Sequence, residues 1–356
     1  MRRFGGRQIV RRVPVRRPTI KDIAQEAGVS ESAVSFALNG RPGVSEATRA
    51  RVRRVADRLG WRPSAAARAL SGEGPATIGL VLARPASTLG VESFFLQLVS
   101  GVQEVLSLRR FGLLFQVVED LDAECDAYRR WWAEHRVDGV LVVDPRADDP
   151  RPPLLDELGL PAVVIGSLPP GDDGTGHPGI ANLWADDARA MAGIVDHLDA
   201  LGHRRIAHVA GLPELAHTRR RIASLRAAAE RRGIEAHSHT TDYSDTEGAR
   251  TTRRVLDSAA PPTAIVYDND VLAVAGLGVA AERGIPVPAA LSIVAWDDSV
   301  LCRSTHPALT ALVRDTTAFG RRAAEELFAL LDGGPARRVE DALPHLVERG
   351  STAAAP

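Results

Sequence analysis

The sequence predicts an α/β fold, in which a small all-α head precedes a larger body of two doubly wound parallel sheets. Between residues 19 and 72, short helix-like runs follow one another, each preceded by a capping residue. From Ala76 onward, strand-like and helix-like segments alternate. At 356 residues the chain is too long for one ordinary domain, and its length suggests a small module plus one or two larger ones.

The head is predicted to contain three capped helices. Thr19 can cap the first, with Asp22 completing the capping box, and Gly28 ends it. Ser30 and Ser45 can cap the second and third helices. Two short helices joined by a tight turn and braced by a third form a helix-turn-helix, whose second helix fits the major groove of DNA.

The second helix presents an outward face to read bases. Glu31, Ser32, Ser35 and Phe36 face out in the predicted helix. Glu31 could accept a hydrogen bond from cytosine N4, and Phe36 could lie against a thymine methyl group. The alternative for Phe36 is packing into the three-helix core.

A fourth helical run is too short to be stable alone. Ser64 can cap residues 65–70, which Gly72 ends, and isolated helices below about 12 residues are marginal in water. Leu70 is its only large apolar residue, so we expect it to enter a DNA minor groove beside its dimer mate. This hinge helix should therefore fold only against a partner.

Charge is unevenly distributed along the chain. Residues 1–72 hold 16 Lys and Arg against 5 Asp and Glu, a formal charge of +11, and the remainder holds 28 against 40, or −12. A basic head on an acidic body suits a phosphate ligand at one end only. Residues 1–17 are rich in arginine without periodicity, and we interpret them as a disordered arm that brushes DNA phosphates or as an artefact of start-codon choice.

The body contains ten strand candidates, which are too many for one compact sheet of this kind. Two wound subdomains are therefore expected, with a ligand cleft at the carboxyl ends of their strands. Proline and glycine cluster at residues 145–179, which we interpret as loops. The strand candidates are residues 78–83, 113–118, 139–144, 162–165, 180–184, 205–211, 237–241, 264–267, 291–296 and 309–313.

Enzyme and export signatures are nearly absent. There is no dinucleotide fingerprint, P-loop, metalloprotease motif or nucleophile elbow. His197, His203 and His208 are six and five residues apart, so they do not lie on one helical face. Cys125 and Cys302 are too far apart in the sequence to suggest a disulfide framework or a metal-binding motif. No secretory segment or membrane-length apolar run is found. We expect a cytoplasmic protein, associated with the nucleoid, with no catalytic residue, metal or cofactor.

Polar and aromatic residues at strand ends suit a sugar. Sugars are bound by planar charged or amide groups that hydrogen-bond adjacent hydroxyls, and by an aromatic ring over the apolar face. Candidates are Arg221, Tyr243, Asn269, Asp270 and Asp297. As alternatives, Arg221 could belong to a solvated helix face, and Asp270 could merely cap the helix that it begins. The adjacent carboxylates at 297 and 298 would repel each other unless donors or a ligand compensate.

The chain resembles the lactose and galactose repressors of bacteria, the LacI/GalR family. The agreement is nearly continuous from Thr19 to about Thr352, and the hinge phrase W-R-P-S-A-A-A-R-A-L followed by T-I-G-L-V carries it most specifically. The resemblance implies a two-lobed body like that of the periplasmic binding proteins, with crossings near Trp184, Arg314 and Pro344. The expected division is a basic arm at 1–17, a helix-turn-helix domain at 18–63, a hinge and linker at 64–75, one lobe at 76–184 with 315–343, and another at 185–314 with 344–356.

The resemblance also assigns roles to individual residues. It implies that Leu70, with Ala67 beside it, kinks the operator centre. It matches Arg221, Asn269, Asp297 and Tyr243 to family effector contacts, and Phe94 and Phe95 to an aromatic pair after the first strand, although Phe95 could be core. The expected effector-binding residues are Phe94, Phe95, Arg221, Tyr243, Asn269, Asp270 and Asp297. The expected DNA-binding residues are Thr19, Ser30, Glu31, Ser32, Ala33, Ser35, Phe36, Asn39, Ser64, Ala67, Arg68 and Leu70.

The sequence departs from the family at several of these places. Gly166 and Ser167 stand where sugar-responsive members often have an aspartate, and Ser224 replaces a glycine. Ala33 and Phe36 depart within the recognition helix, and Ser64 replaces the usual hinge asparagine. These departures bear on the identity of the effector and of the operator.

The function expected from the sequence is a transcriptional repressor. It would bind a palindromic DNA operator as a homodimer and respond to a small-molecule effector, a sugar, in the cleft. The alternative effector is a nucleobase or another metabolite that acts as co-repressor. A solute-binding protein for transport and an enzyme are two further alternatives; the first would need an export signal and no basic head, and the second lacks any motif.

Overall fold

The computed structural model describes residues 18–62, 74–84, 93–168, 177 and 179–356. The chain divides into two compact units, Met1–Pro75 and Ala76–Pro356. The predicted arm at 1–17 and the hinge residues Ser64, Ala67, Arg68 and Leu70 lie outside the described residues. No helix in the described ranges is long and apolar enough to cross a membrane.

The described part of the first unit contains three helices, α1 (Ile20–Ala27), α2 (Glu31–Leu38) and α3 (Glu46–Arg58). The predicted capping box is present, since Thr19 Oγ1 accepts from the Asp22 amide while the Asp22 carboxylate accepts from the Thr19 amide at 2.7 Å. Ser30 and Ser45 cap α2 and α3 as predicted. Their common core includes Ile23, Val34 and Val52, all fully buried.

The second unit begins with a six-stranded parallel sheet, within the described residues, that has helices on both faces. The strand order is β11-β5-β4-β3-β1-β2. Its strands are β1 (Thr77–Ala83), β2 (Gly112–Val118), β3 (Gly139–Val143), β4 (Ala162–Ile165), β5 (Ile180–Trp184) and β11 (Arg338–Glu340). The helices packed on it are α4 (Ser93–Arg109), α5 (Leu121–Ala133), α6 (Arg151–Leu158) and α12 (Thr316–Leu331).

A second six-stranded sheet follows, with the order β12-β10-β9-β8-β6-β7 over the same described ranges. All its pairs are parallel except that of β12 with β10. Its strands are β6 (Arg205–Ala210), β7 (Glu235–Thr240), β8 (Ala264–Tyr267), β9 (Ser292–Ala295), β10 (Thr310–Val313) and β12 (His345–Val347). The remaining helices are α7 (Asp187–Ala200), α8 (Ala216–Arg232), α9 (Asp245–Leu256), α10 (Asp270–Glu282) and α11 (Val300–Ser304).

The predicted fold class is confirmed for the described residues, and two local predictions were incomplete. All ten predicted strands are present, but β11 and β12 were missed because each is only three residues long and neither is a continuous apolar run. The interpretation of 145–179 as loops was partly wrong, since α6 lies within it. Prolines at its first positions favour a helix start, because their fixed φ suits the first turn and they have no N–H to satisfy.

Helices α4 and α12 meet backbone to backbone through two glycines. A Cβ on Gly101 would lie 1.8 Å from the Thr317 carbonyl oxygen, and one on Gly320 would lie 2.1 Å from the Leu98 carbonyl oxygen. Any side chain at either position would push the helices apart. The close approach fixes the start of α4, which carries Phe94, against α12.

Candidate functional site

A cavity of about 770 Å³, counting its open mouth, lies where strands of both sheets end. The cavity is lined by residues at the carboxyl ends of strands β1, β3 and β4 of the first sheet and β8, β9 and β10 of the second. Open α/β sheets bind ligands at the carboxyl ends of their strands. The pocket brings together all seven effector-binding residues expected from the sequence: Phe94, Phe95, Arg221, Tyr243, Asn269, Asp270 and Asp297.

Six ionisable lining residues were not predicted. Four of them directly follow a strand, so strand position alone could have found them. The other two, Asp187 and His217, lie at the starts of α7 and α8 and carry no local signal, because their place in the pocket depends on how those helices pack. In chain order they are Arg84, Asp144, Asp187, His217, Asp268 and Arg314.

Arg221 is fixed by ion pairs in the pocket wall and is not on a solvated face. It is 7% exposed, and its Nη1 lies 3.2 Å from Asp268 Oδ1 while its Nη2 lies 3.5 Å from Asp187 Oδ1. The guanidinium lies over the Trp296 ring, 3.8 Å from its centre. Nη1 also donates to the Asp268 carbonyl at 3.3 Å, so both terminal nitrogens contact protein acceptors, and the effector-binding role of Arg221 stays a prediction.

Asp268 is the buried anion that holds this arginine. Its Oδ1 lies 3.0 Å from His208 Nε2, and its Oδ2 accepts from the Gly211 amide at 2.9 Å. Burial acts to raise the pKa of Asp268, but Arg221, His208 and this amide outweigh burial and hold the pKa well below its usual range. Asp268 is therefore an anion at neutral pH.

Asn269 and Asp270 begin α10 with divided roles. The Asn269 side-chain oxygen caps the helix, accepting from the Leu272 amide at 2.8 Å. The cap expected for Asp270 thus belongs to its neighbour. Asp270 accepts from its own following amide at 2.9 Å and from Ser93 Oγ at 3.3 Å, which joins α10 to the start of α4.

The adjacent carboxylates after β9 have different environments. Asp298 is compensated by Arg349, at 2.8 and 3.0 Å, and by Arg303, at 2.7 Å. Asp297 lines the pocket, and burial raises its pKa to about 6 although Arg314 and Arg221 act to lower it. Asp298 therefore has a structural role, whereas Asp297 faces the cavity.

Arginines cover the aromatic rings of the pocket. The Arg84 guanidinium carbon lies 5.1 Å from the centre of the Phe95 ring and 4.8 Å from that of Tyr243. Arg314 lies 5.3 Å from the centre of Phe94 and also stacks on Phe319. These distances fall within the range of cation–π attraction. Phe95 lines the pocket and also belongs to the hydrophobic core, so its core interpretation is confirmed and its effector-binding role stays a prediction.

The Arg84 end of the pocket contains a second set of polar contacts. Arg84 Nε donates to Asp144 Oδ2 at 2.7 Å. His217 Nε2 lies 3.0 Å from the Tyr243 hydroxyl, and burial lowers the pKa of His217 to about 4. The imidazole is therefore neutral at pH 7, and it can donate or accept a single hydrogen bond at each nitrogen.

Three buried donors at the pocket have no acceptor among the described residues. They are Arg221 Nε, Asn269 Nδ2 and Arg314 Nε. A buried donor without a partner costs about 1 to 3 kcal/mol, so each favours a ligand that supplies an oxygen. The described lining also holds three arginines and five aspartates, an excess of negative charge when all are ionised.

The residues that depart from the family pattern bind backbone near the start of α7. Ser167 Oγ donates to the Ala185 carbonyl at 3.0 Å, and Ser224 Oγ donates to the Ala188 carbonyl at 2.7 Å. Both hydroxyls are thus engaged by the protein. A side chain on Gly166 would meet Pro145 at 3.0 Å in a backbone with φ of 123°, which explains the glycine there.

The remaining reactive groups are structural. Cys302 is fully buried, and burial raises the pKa of its thiol to about 11, so the thiolate needed for nucleophilic chemistry does not form at neutral pH. His203 lies between Thr263 Oγ1, at 2.8 Å, and Ser292 Oγ, at 3.1 Å.

The outer face of α2 is available to a partner. Glu31, Ser32 and Asn39 are exposed, and Ala33 and Ser35 are half-buried. Phe36 is 37% exposed and lies outside the head's hydrophobic core, which argues against the core alternative. Arg49 of α3 donates to the carbonyls of Ala37 and Arg41, so it secures the end of α2.

Comparisons with known proteins identify both units. Residues 19–64 match the model for bacterial regulatory proteins of the lacI family, and residues 195–352 match that for a periplasmic binding protein-like domain. The HTH-type transcriptional regulator CelR of Thermobifida fusca is 32% identical over 340 residues, covering 94% of this chain and 98% of CelR.

Solved structures agree over nearly the whole chain. A CelR–cellobiose complex is 30% identical with a TM-score of 0.69, covering 94% of this chain and 100% of that one. The lac repressor dimer bound to operator and the anti-inducer ONPF is 25% identical with a TM-score of 0.80, covering 95% and 100%. The chain therefore belongs to the lacI family of bacterial regulatory proteins, and it is a DNA-binding transcriptional regulator, not an enzyme.

Proposed function

We propose that this protein is a repressor that binds a palindromic operator as a homodimer and is controlled by a neutral sugar in the pocket. The observation that carries the effector class is that one cavity holds three buried donors without a partner, Arg221 Nε, Asn269 Nδ2 and Arg314 Nε, together with the buried carboxylate acceptor Asp297. A hydroxyl both donates and accepts, so a polyol satisfies both kinds of group.

Charge argues against an anionic effector. The described pocket lining has five aspartates against three arginines, and Arg84 and Arg221 are already paired with carboxylates. A phosphorylated or carboxylated ligand would be repelled by the remaining negative charge. The similar CelR was solved with cellobiose, which is a neutral sugar. We assign contact roles to Asn269, Asp270, Asp297 and Phe94, and to Arg221 through its Nε.

The DNA-reading role is proposed for the outer face of α2. Glu31, Ser32 and Phe36 are exposed there, and a second helix of this motif enters the major groove. We propose homodimerisation because the similar lac repressor was solved as a dimer bound to its operator, and a twofold dimer predicts a palindromic operator. The coupling through residues 64–70, with Leu70 in the minor groove, is proposed from the sequence alone.

Mobility-shift and nuclease-footprinting experiments test the proposal. The full chain is titrated onto the DNA upstream of its own gene, with and without a panel of neutral mono- and disaccharides and their phosphates. We expect a protected palindrome whose occupancy changes with a neutral sugar and not with its phosphate. Protection of a single asymmetric half-site would contradict the dimer, and a response to the phosphate alone would contradict the effector class.

A further inference from the structure

We propose that Arg84 is a specificity-determining residue of the pocket, whose guanidinium occupies the space beside the Phe95 and Tyr243 rings and limits the length of the sugar that can bind. This inference rests on the proposed sugar effector.

Arg84 fills the position that a sugar ring would need. The side chain is 5% exposed, and its guanidinium carbon lies 5.1 Å and 4.8 Å from the two ring centres. A pyranose stacks its apolar face on an aromatic ring, so it needs an uncovered ring face. At this end of the pocket, both Phe95 and Tyr243 are covered by the cation.

The arginine is held in place from behind. Its partner Asp144 directly follows β3 and has φ of 54°, a left-handed conformation that is uncommon for a residue with a side chain. Arg151 donates to the carbonyls of Val143 and Asp144 at 2.9 and 2.8 Å. Arg151 is itself paired with Glu124 and Asp149 and is 1% exposed. A buried ionic network thus fixes the strand end that carries Asp144.

The Tyr243 ring cannot move aside to make room. A Cβ on Gly211 would lie 1.8 Å from Tyr243 Cζ, so the ring packs directly on that backbone. Its hydroxyl lies 3.0 Å from His217 Nε2 and 3.4 Å from Thr218 Oγ1. With the ring and Asp144 both fixed, the wall at Arg84 is rigid, and removing the side chain should lengthen the pocket.

The experiment compares sugar-length preferences. The main variant combines Arg84→Ala with Asp144→Asn, because removing one partner alone would leave an uncompensated buried charge. Arg84→Lys is the matched control, since it keeps the charge and most of the stem. Calorimetry on the full chain measures dissociation constants for gluco-oligosaccharides of one to four units. Operator binding without sugar and thermal unfolding verify that each variant is folded.

We expect the double variant to shift the ratio of dissociation constants by about tenfold towards the sugar one unit longer than the parent prefers. The lysine variant should keep the parent's preference. If the double variant does not fold, Arg84→Gln, which is shorter and can still donate to Asp144, should shift the ratio in the same direction by less. An unchanged ratio in whichever truncation folds would overturn the role of Arg84 alone. No sugar binding by the parent would overturn the proposed effector and this inference with it.

Discussion

Asp297 shows how a single residue can serve binding at the expense of stability. Burial raises its pKa to about 6, above the ordinary value of 3.8, so the folded state holds this proton more tightly than the unfolded state does. Stability is therefore lost as pH rises from about 4 to about 6, and the penalty persists at neutral pH. A ligand hydroxyl that donates to the carboxylate would offset that penalty.

Asp297→Asn should make the ligand-free protein more stable at pH 7.5. A raised pKa of about two units corresponds to roughly 2 to 3 kcal/mol of unfavourable ionisation, which the amide removes. Urea unfolding of parent and variant at pH 7.5 and 4.5 measures this. We expect the gain to be clearly smaller at pH 4.5, where the carboxyl of the folded parent is already neutral although that of the unfolded chain is still partly ionised, and the variant to lose effector affinity. A variant that is less stable at both values would contradict the burial argument.

Asp268→Asn should destabilise the protein by about 3 kcal/mol, because it removes the nearer carboxylate of the buried Arg221 and leaves Asp187, at 3.5 Å, as the carboxylate paired with it. The loss is expected in the free energy of unfolding at neutral pH. Asp126→Asn is the matched control, since it removes a carboxylate from an exposed pair with Arg129 on α5, and its effect should lie within measurement error. Equal losses in the two variants would mean that burial of the pair does not matter.

At the scale of elements, the contact of α4 with α12 depends on glycine. Gly101→Ala should cost about 3 kcal/mol of unfolding free energy, because the new methyl group would overlap the Thr317 carbonyl and force the helices apart. Gly193→Ala, in the middle of α7 with no atom within 4 Å of the added Cβ, should be neutral or stabilising by about 1 kcal/mol. Thermal unfolding of both variants makes the comparison. A stable Gly101→Ala protein would show that the helices can separate freely.

The elements were predictable where burial imposes a pattern. Strands such as β1 and β9 are continuous apolar runs because helices cover both faces of a parallel sheet, so their sequences reveal them. β11 has exposed charged ends, and its place in the first sheet depends on pairing with β5. The same distinction applies to the pocket. Asp297 follows β9, a strand that can be predicted from its sequence, whereas His217 becomes a pocket residue only through the packing of α8.

At the scale of the whole molecule, the two binding functions differ in their electrostatics. The first 72 residues carry the positive charge and the remainder the negative charge. In α3, Arg51, Arg53 and Arg54 are exposed, whereas Asp268 and Asp270 of the pocket are at most 2% exposed. Exposed charges are screened by salt and buried ones much less, so operator binding and effector binding should respond differently to ionic strength.

This difference gives a test of allosteric coupling in the full chain. If the effector changes operator affinity by some factor, bound operator must change effector affinity by the same factor, which is about 5- to 150-fold in typical cases. We expect equal factors from calorimetric titration of sugar with and without operator and of operator with and without sugar. Operator affinity should fall steeply between 50 and 200 mM salt, as is typical of phosphate contacts.

The coupling factor should change little with salt, because it arises at a buried pocket. Asp297→Asn should remove the factor while leaving operator affinity without sugar intact. A coupling factor of one in the parent would contradict the proposed control by an effector. If the coupling factor instead fell with salt in parallel with operator affinity, the effector would act by charge at the DNA surface and not through the pocket.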